Sequence, residues 1–297
     1  MSEVVMKSKR KFQVCNGYLL EFEQLARVLH YMADRVGGGR ITRVELAEGT
    51  GLADRQLESL VSVGTAIGLI QRGKQVLSDA GRVIVKYDIF LEMKGTLEWC
   101  HFLGAGSYRN LIWFEIFNSL LPNEPAMSLD GWKDFLREAL AGQYTDSTIG
   151  KHLTEEVRFV ADAYLERNFK KLELLYQDSK GLLHRRRYLN PDLRVLTAIL
   201  YEYADKQETK LLQVHDLAYS PGGPGMVFAL DESTLRQLVE DLHESGWVRY
   251  ESRHDLDQVR LRDEFSPLDF LSAYYDGREP VASEDSGDGN EQGELML

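Results

Sequence analysis

Acid-x-lysine triplets are the residues of this 297-residue chain whose types and spacing could cut a phosphodiester. Acids would hold a divalent cation while the lysine steadies the phosphate. Three occur: Glu92-Met93-Lys94, Asp178-Ser179-Lys180 and Glu208-Thr209-Lys210. With 47 acids and 13 lysines in the chain, chance alone supplies about two such triplets, so their number decides nothing. The first is the best placed, because it follows the apolar run Ile84 to Leu91 and has Asp79 and Asp88 upstream. Asp88, Glu92 and Lys94 are therefore the candidate catalytic set, with Mg2+ or Mn2+ as the ion such a nuclease takes and its ligands unassigned. Other chemistries lack their residues. No Gly-x-Ser-x-Gly, His-Glu-x-x-His or kinase signature is present, the seven histidines are scattered, and Ser220-Pro221-Gly222-Gly223-Pro224-Gly225 is not followed by the Lys-Ser/Thr of a phosphate-binding loop. Cys15 and Cys100 have no partner at a metal-ligand spacing, which excludes a disulfide framework and a zinc ribbon.

A nucleic-acid contact needs a helix start or exposed helix face, with cations on a flanking hairpin to hold phosphates. In a first segment, Arg55, Gln56 and Ser59 lie near the start of a helix whose Leu57, Leu60, Val61 and Ala66 form the apolar face. Arg72 and Lys74 follow on its hairpin. A second segment offers Ser147, Thr148, Lys151, His152 and Arg158, and then the run His184-Arg185-Arg186-Arg187, the strongest cationic point in the chain. In a third, Arg249, Arg253 and His254 line a hairpin, but Glu240, Asp241 and Glu244 crowd the helix, which favours a protein partner there.

The elements that must position these residues follow from periodicity. Leu19 to Val36 has helical spacing and ends at the glycine triplet 37–39. A short helix ending near Gly49, a helix from an Asp54 cap to about Ile67, and a small hairpin complete a winged helix-turn-helix order. That order recurs: Gly131 to Asn168 gives two helices around Thr145, Asp146 and Ser147, with 181–190 as wing. Residues 194–207 and 228–246 give two more, the latter capped by Asp231 or Ser233, closed by a hairpin over 247–261. Each unit ends on a glycine and an apolar pair, at Gly68, Gly181 and Gly246, as a helix C-cap leading into a strand does. The aromatic stretch holding Trp99, Phe102, Tyr108, Trp113, Phe114 and Phe117 reads as a central core helix pair, and the Pro/Gly loop 221–225 as a structural turn.

The expected fold class is mainly α (α+β), with tandem winged helix-turn-helix-like units around an aromatic helical core. Its parts are an N-terminal unit (1–87), a central helical region with a second unit (88–190), a C-terminal unit (191–275) and a disordered acidic tail (276–297). With 43% hydrophobic and 28% charged residues, the chain is neither collagen, rod nor fully disordered. No stretch approaches the roughly 18 apolar residues of a bilayer span, and no apolar h-region follows the basic start, so a soluble cytoplasmic protein is expected. Half of the net charge of −12 falls in 276–297, so nucleic-acid contacts must come from local basic patches.

Several of these residues resemble a bacterial family of unknown function numbered 4007. They are Pro221 to Glu232 (PGGPGMVFALDE), the terminal Leu271-x-x-Tyr274-Tyr275, and the central Asp88 to His101 with Trp113 through Asn118. The resemblance covers residues 12–275 and departs at Phe12 to Tyr18, where members carry a Gly-His-Glu-Thr-Phe-like box. It implies a part in bacterial DNA phosphorothioation and phage defence, as the component that engages and nicks DNA. It implies as partners DNA, a phosphoadenosine-phosphosulfate-reductase-like protein and an ATPase. A homodimer is a further expectation. The alternatives are a winged-helix repressor and a non-catalytic assembly module for the reductase and ATPase.

Overall fold

Helices form wherever the apolar spacing is helical and a polar residue can cap the start. The computed structural model describes residues 10–35, 41–124, 126–253 and 256–282. Val36, the glycines 37–39, His254 and residues 283–297 of the tail lie outside these. The first unit is α1 (Phe22–Asp34), α2 (Arg43–Thr50) and α3 (Asp54–Ala66). Leu19 and Leu20 precede α1 and lie outside any helix. Thr42 and Glu45 form a reciprocal capping box on α2, which runs past Gly49 to a left-handed Gly51. Ala53, not Asp54, occupies the cap position of α3; Asp54 is the first helical residue, where its charge meets the positive helix end. The expected hairpin after α3 is one antiparallel bridge, Ile70 to Leu77, and α4 (Asp79–Tyr87) follows, capped by Ser78.

The aromatic stretch forms the centre. α5 (Lys94–Ala105) is buried along nearly its whole length, and α6 (Leu111–Glu115) runs through a π-helical turn, Ile116–Leu120, into α7 (Leu121–Asn123). Next come β1 (Ala126–Met127), α8 (Leu129–Leu140), α9 (Asp146–Leu165), β2 (Leu175–Gln177) and β3 (Leu183–Arg185). The three strands make an antiparallel sheet in the order β1-β3-β2, with Tyr176 opposite His184.

The rest of the chain is α10 (Leu193–Lys206), β4 (Leu211–Gln213), α11 (Val214–Tyr219), α12 (Pro224–Phe228), α13 (Glu232–Glu244), β5 (Val248–Arg253), β6 (Leu256–Leu261) and α14 (Pro267–Asp276). Asp231 caps α13, and β4, β6 and β5 form a second antiparallel sheet. Gly68 and Gly246 follow helix ends with φ of +78° and +77° and lead the chain out, whereas Gly181 sits in the turn between β2 and β3, where no helix ends. The fold is thus mainly α with two small sheets. One continuous apolar core runs from Phe12 to Leu271 and takes in all three segments.

A chain of hydrogen bonds crosses that core. Trp113 Nε1 donates to the Tyr164 hydroxyl at 2.9 Å, that hydroxyl lies 2.5 Å from His101 Nδ1, and His101 Nε2 lies 3.1 Å from the Val227 carbonyl. A carbonyl can only accept, so Nε2 carries the proton and Nδ1 accepts from Tyr164. Burial lowers the His101 pKa to about 3 and keeps the ring neutral. His101 thereby ties α12, beyond the Pro/Gly loop, to the central helices.

Candidate anion-binding groove

Residues 10–17 are stitched across the protein and bring a lysine to the lining of a broad groove. The buried Glu156 carboxylate on α9 accepts from the amides of Val14 (3.0 Å), Cys15 (3.1 Å) and Asn16 (3.3 Å). From α3, Ser59 donates to the Cys15 carbonyl at 2.5 Å and Ser62 to the Val14 carbonyl at 2.6 Å. Backbone bonds pair Lys11 with Arg109 and Leu111. With its backbone so held, Lys11 extends its ammonium to within 2.6 Å of Ser62 Oγ.

The groove, about 1090 Å3, lies between this segment, α3 with its bridge, the loop before α6, the end of α10 and the start of α14. Six cations line it (Arg10, Lys11, Arg43, Arg72, Arg109, Lys206) against four acids (Glu58, Asp79, Glu202, Asp205), an excess of positive charge on an anionic chain. Glu58 is paired with Arg43, Asp79 with Arg82 and Glu202 with Lys206, while Arg10 is committed to Glu115 at 2.6 Å. Lys11 also lies in the field of Arg109, and Arg109 in that of Arg72. Burial first, and then the Arg109 charge, lowers the Lys11 pKa, against the opposing charges of Glu156 and Glu58; burial and then the Arg72 charge lowers that of Arg109. Mutually repelling cations in a half-desolvated groove are relieved by an anion placed among them.

The residues singled out from the sequence divide around this groove. Arg72 and Thr148 line it. Arg55, Lys74, Lys151 and Arg158 are exposed. Gln56 is turned to Gln24 of α1 at 2.5 Å, His152 to Gln13 at 2.6 Å, and Ser59 is buried against the Cys15 carbonyl, so none of these three side chains is presented as a free reader. The run 185–187 does not form one cationic face, because β3 ends at Arg185 and each of the three side chains takes a different partner. Arg185 points inward to the carbonyls of Met226 and Phe117, and burial lowers its pKa to about 10. Arg186 lies over the Tyr176 ring at 4.3 Å, and Arg187 is paired with Asp231 at 3.2 Å and with Thr234.

Asp88, Glu92 and Lys94 are close in sequence but diverge. The Asp88 carboxylate is buried and accepts from the Glu92 and Met93 amides at 2.9 and 2.8 Å, closing the turn that starts α5. Glu92 is exposed and faces Lys171 at 3.7 Å, and Lys94 donates to the Asn190 carbonyl at 3.0 Å. Among the described residues no group of three or more His, Cys, Asp or Glu is placed to hold a metal ion. Sequence reasoning missed Lys11 and Arg109. Neither belongs to a helix-and-hairpin pattern; the only trace was the basic leader, which ends at Lys11.

Comparison with known proteins adds three findings. The family described as "Protein of unknown function (DUF4007)" matches residues 63–275. No curated protein matches the chain. Two solved structures share its fold: "Magnesium ion-bound SspB crystal structure", with a TM-score of 0.70 at 15% identity over 93% of this chain and 91% of that one, and "SspB crystal structure", with a TM-score of 0.71 at 14% identity over 92% and 91%. Among the described residues no helix is long and apolar enough to cross a membrane.

Proposed function

The chain belongs to the DUF4007 family, and from that membership we propose that it is the DNA-engaging component of a bacterial DNA phosphorothioation system, holding a strand in the groove around Lys11, Arg72 and Arg109. The observation that carries the reading is this cluster of like charges drawn from three separate parts of the chain. Folding brings them together at an electrostatic cost that phosphate oxygens offset, and arginine and lysine are the side chains that pair with phosphate. The SspB-like fold supports the same system. The reductase-like protein and ATPase belong to the proposal as partners.

One SspB structure is described as magnesium-bound. In this chain Asp88, Glu92 and Lys94 diverge, so the proposal rests on strand binding in the groove and assigns no cutting residues. The test is fluorescence anisotropy of labelled single-stranded and duplex oligonucleotides at low salt. Arg72→Glu is expected to weaken binding at least about tenfold, as loss and reversal of a phosphate contact does, while Arg187→Glu, away from the groove, leaves it within about twofold. Failure of the unaltered chain to bind either oligonucleotide at about 50 mM salt, where phosphate contacts are strongest, would sink the reading.

A further inference from the structure

Beside the groove lies a smaller pocket of about 200 Å3, and Ser107, Arg109 and Lys206 line both. We propose that this pocket takes one unstacked nucleobase while the groove holds its phosphates, so that the substrate is single-stranded or locally opened nucleic acid. The proposal deepens the DNA-binding reading and rests on it.

The walls are aromatic: Phe102, Tyr108, Phe114 and Tyr203. Tyr108 is fixed before any ligand arrives, with the Arg10 guanidinium 4.1 Å from its ring centroid and Phe114 edge-on at 5.4 Å. The floor exists because two backbones touch. A Cβ on Gly222 would stand 2.8 Å from the Gly106 carbonyl oxygen, and one on Gly106 would stand 3.2 Å from the Gly222 carbonyl oxygen. Gly222 also has φ of +83°, and its amide donates to Asn118 Oδ1 at 2.7 Å. The Pro/Gly loop is therefore a turn whose shape leaves an aromatic-walled hollow next to cations.

That hollow is smaller than the roughly 300–1,000 Å3 of sites for drug-sized ligands and suits one flat heterocycle. Aromatic walls bind any base by stacking, and the Gln207 amide at the rim offers both a donor and an acceptor to a base edge. A base and its own phosphate are joined covalently, as the pocket and groove are joined through Arg109. Bases in a duplex are stacked and out of reach, so entry requires an opened strand.

The experiment compares binding of the full chain to a single-stranded oligonucleotide and to the same backbone with abasic sites, which keeps every phosphate. The abasic strand is expected to bind about tenfold more weakly, within the range for loss of one stacked base. Tyr108→Ala should erase that difference and Tyr108→Phe should keep it, with thermal melting to show that both variants are folded. Equal binding of the two strands by the unaltered chain overturns the base pocket and leaves phosphate binding in place. A difference that persists in folded Tyr108→Ala also overturns it. If neither strand binds at low salt, the DNA-binding reading itself has failed.

Discussion

Glu98 shows how far a single buried group can govern the pH response of this protein. Its side chain lies on α5 with the Tyr188 hydroxyl donating to Oε1 at 2.5 Å and the Asp192 amide at 3.3 Å. Burial pushes its pKa up from 4.5 to about 7, and the Tyr188 hydrogen bond and the Lys94 charge only partly oppose that. The folded chain therefore keeps a proton that the unfolded chain has released. The stabilisation is full below about pH 4.5 and is lost as pH rises toward 7, the reverse of a salt-bridged carboxylate. A shift of this size corresponds to about 3 kcal/mol. Glu98→Gln keeps an acceptor for Tyr188 and cannot ionise, so denaturant melts between pH 4.5 and 7.5 are expected to show a declining stability for the unaltered chain and a shallower decline for the variant, in which the buried Glu156 still titrates with a raised pKa. Parallel curves would show that Glu98 does not titrate in this window. Residues of this kind are hardly legible in a sequence, because their properties come from neighbours far along the chain. Arg72 and Thr148 were found through their element pattern; Lys11, Arg109 and Glu98 acquire their roles only when burial and like charges are assembled around them.

Elements were read more surely than residues, since helical spacing and caps are local. The cap at Asp231, one of the two residues offered for it, and the buried aromatic pair of helices stand where the periodicity puts them, while Thr145, read as part of a turn, caps α9. What the pattern lacked was the interruption of α6 by a π turn, which no spacing rule encodes and which commonly marks a site of special geometry. Here it presents Asn118 to the Pro/Gly loop. Its Oδ1 accepts from Gly222, and its Nδ2 donates to the carbonyls of Ala105 and Phe114, both at 2.9 Å. Asn118→Ala leaves the buried Gly222 amide without this acceptor and opens a small cavity, so a loss of about 3 kcal/mol is expected in urea unfolding. Asn123→Ala supplies the control: its amide bonds a carbonyl one turn back, but at the surface, and a change within about 0.5 kcal/mol is expected. Equal small effects would mean that the loop holds its shape without Asn118. Likewise the segment 181–190, expected as a wing, holds strand β3 over Leu183–Arg185, and its arginines take separate partners: Arg185 turns inward, Arg186 lies over Tyr176 and Arg187 pairs with Asp231.

At the scale of the whole molecule, the proposed strand binding sets a polyanion against a chain of net charge −12. Residues 278–297 hold six acids and one arginine, and removing them leaves the chain at −7 while keeping every described residue that lines the groove. Long-range repulsion between the acidic segment and a polyanion is screened within about 10 Å at 0.1 M salt, whereas a phosphate held against Arg72 and Arg109 would be in contact and feel salt through counterion release. The two contributions therefore separate on a salt titration. With about three phosphates neutralised on a single strand, log affinity should fall against log salt with a slope near −2 for the full chain. The chain truncated after Gly277 should bind severalfold more tightly at about 50 mM salt and converge on the full chain by about 0.3 M, through faster association. Convergence identifies the acidic segment as a field acting from outside the groove. A constant advantage at every salt concentration would mean that the segment instead occupies the groove, and no advantage at any salt would remove it from the energetics of strand binding.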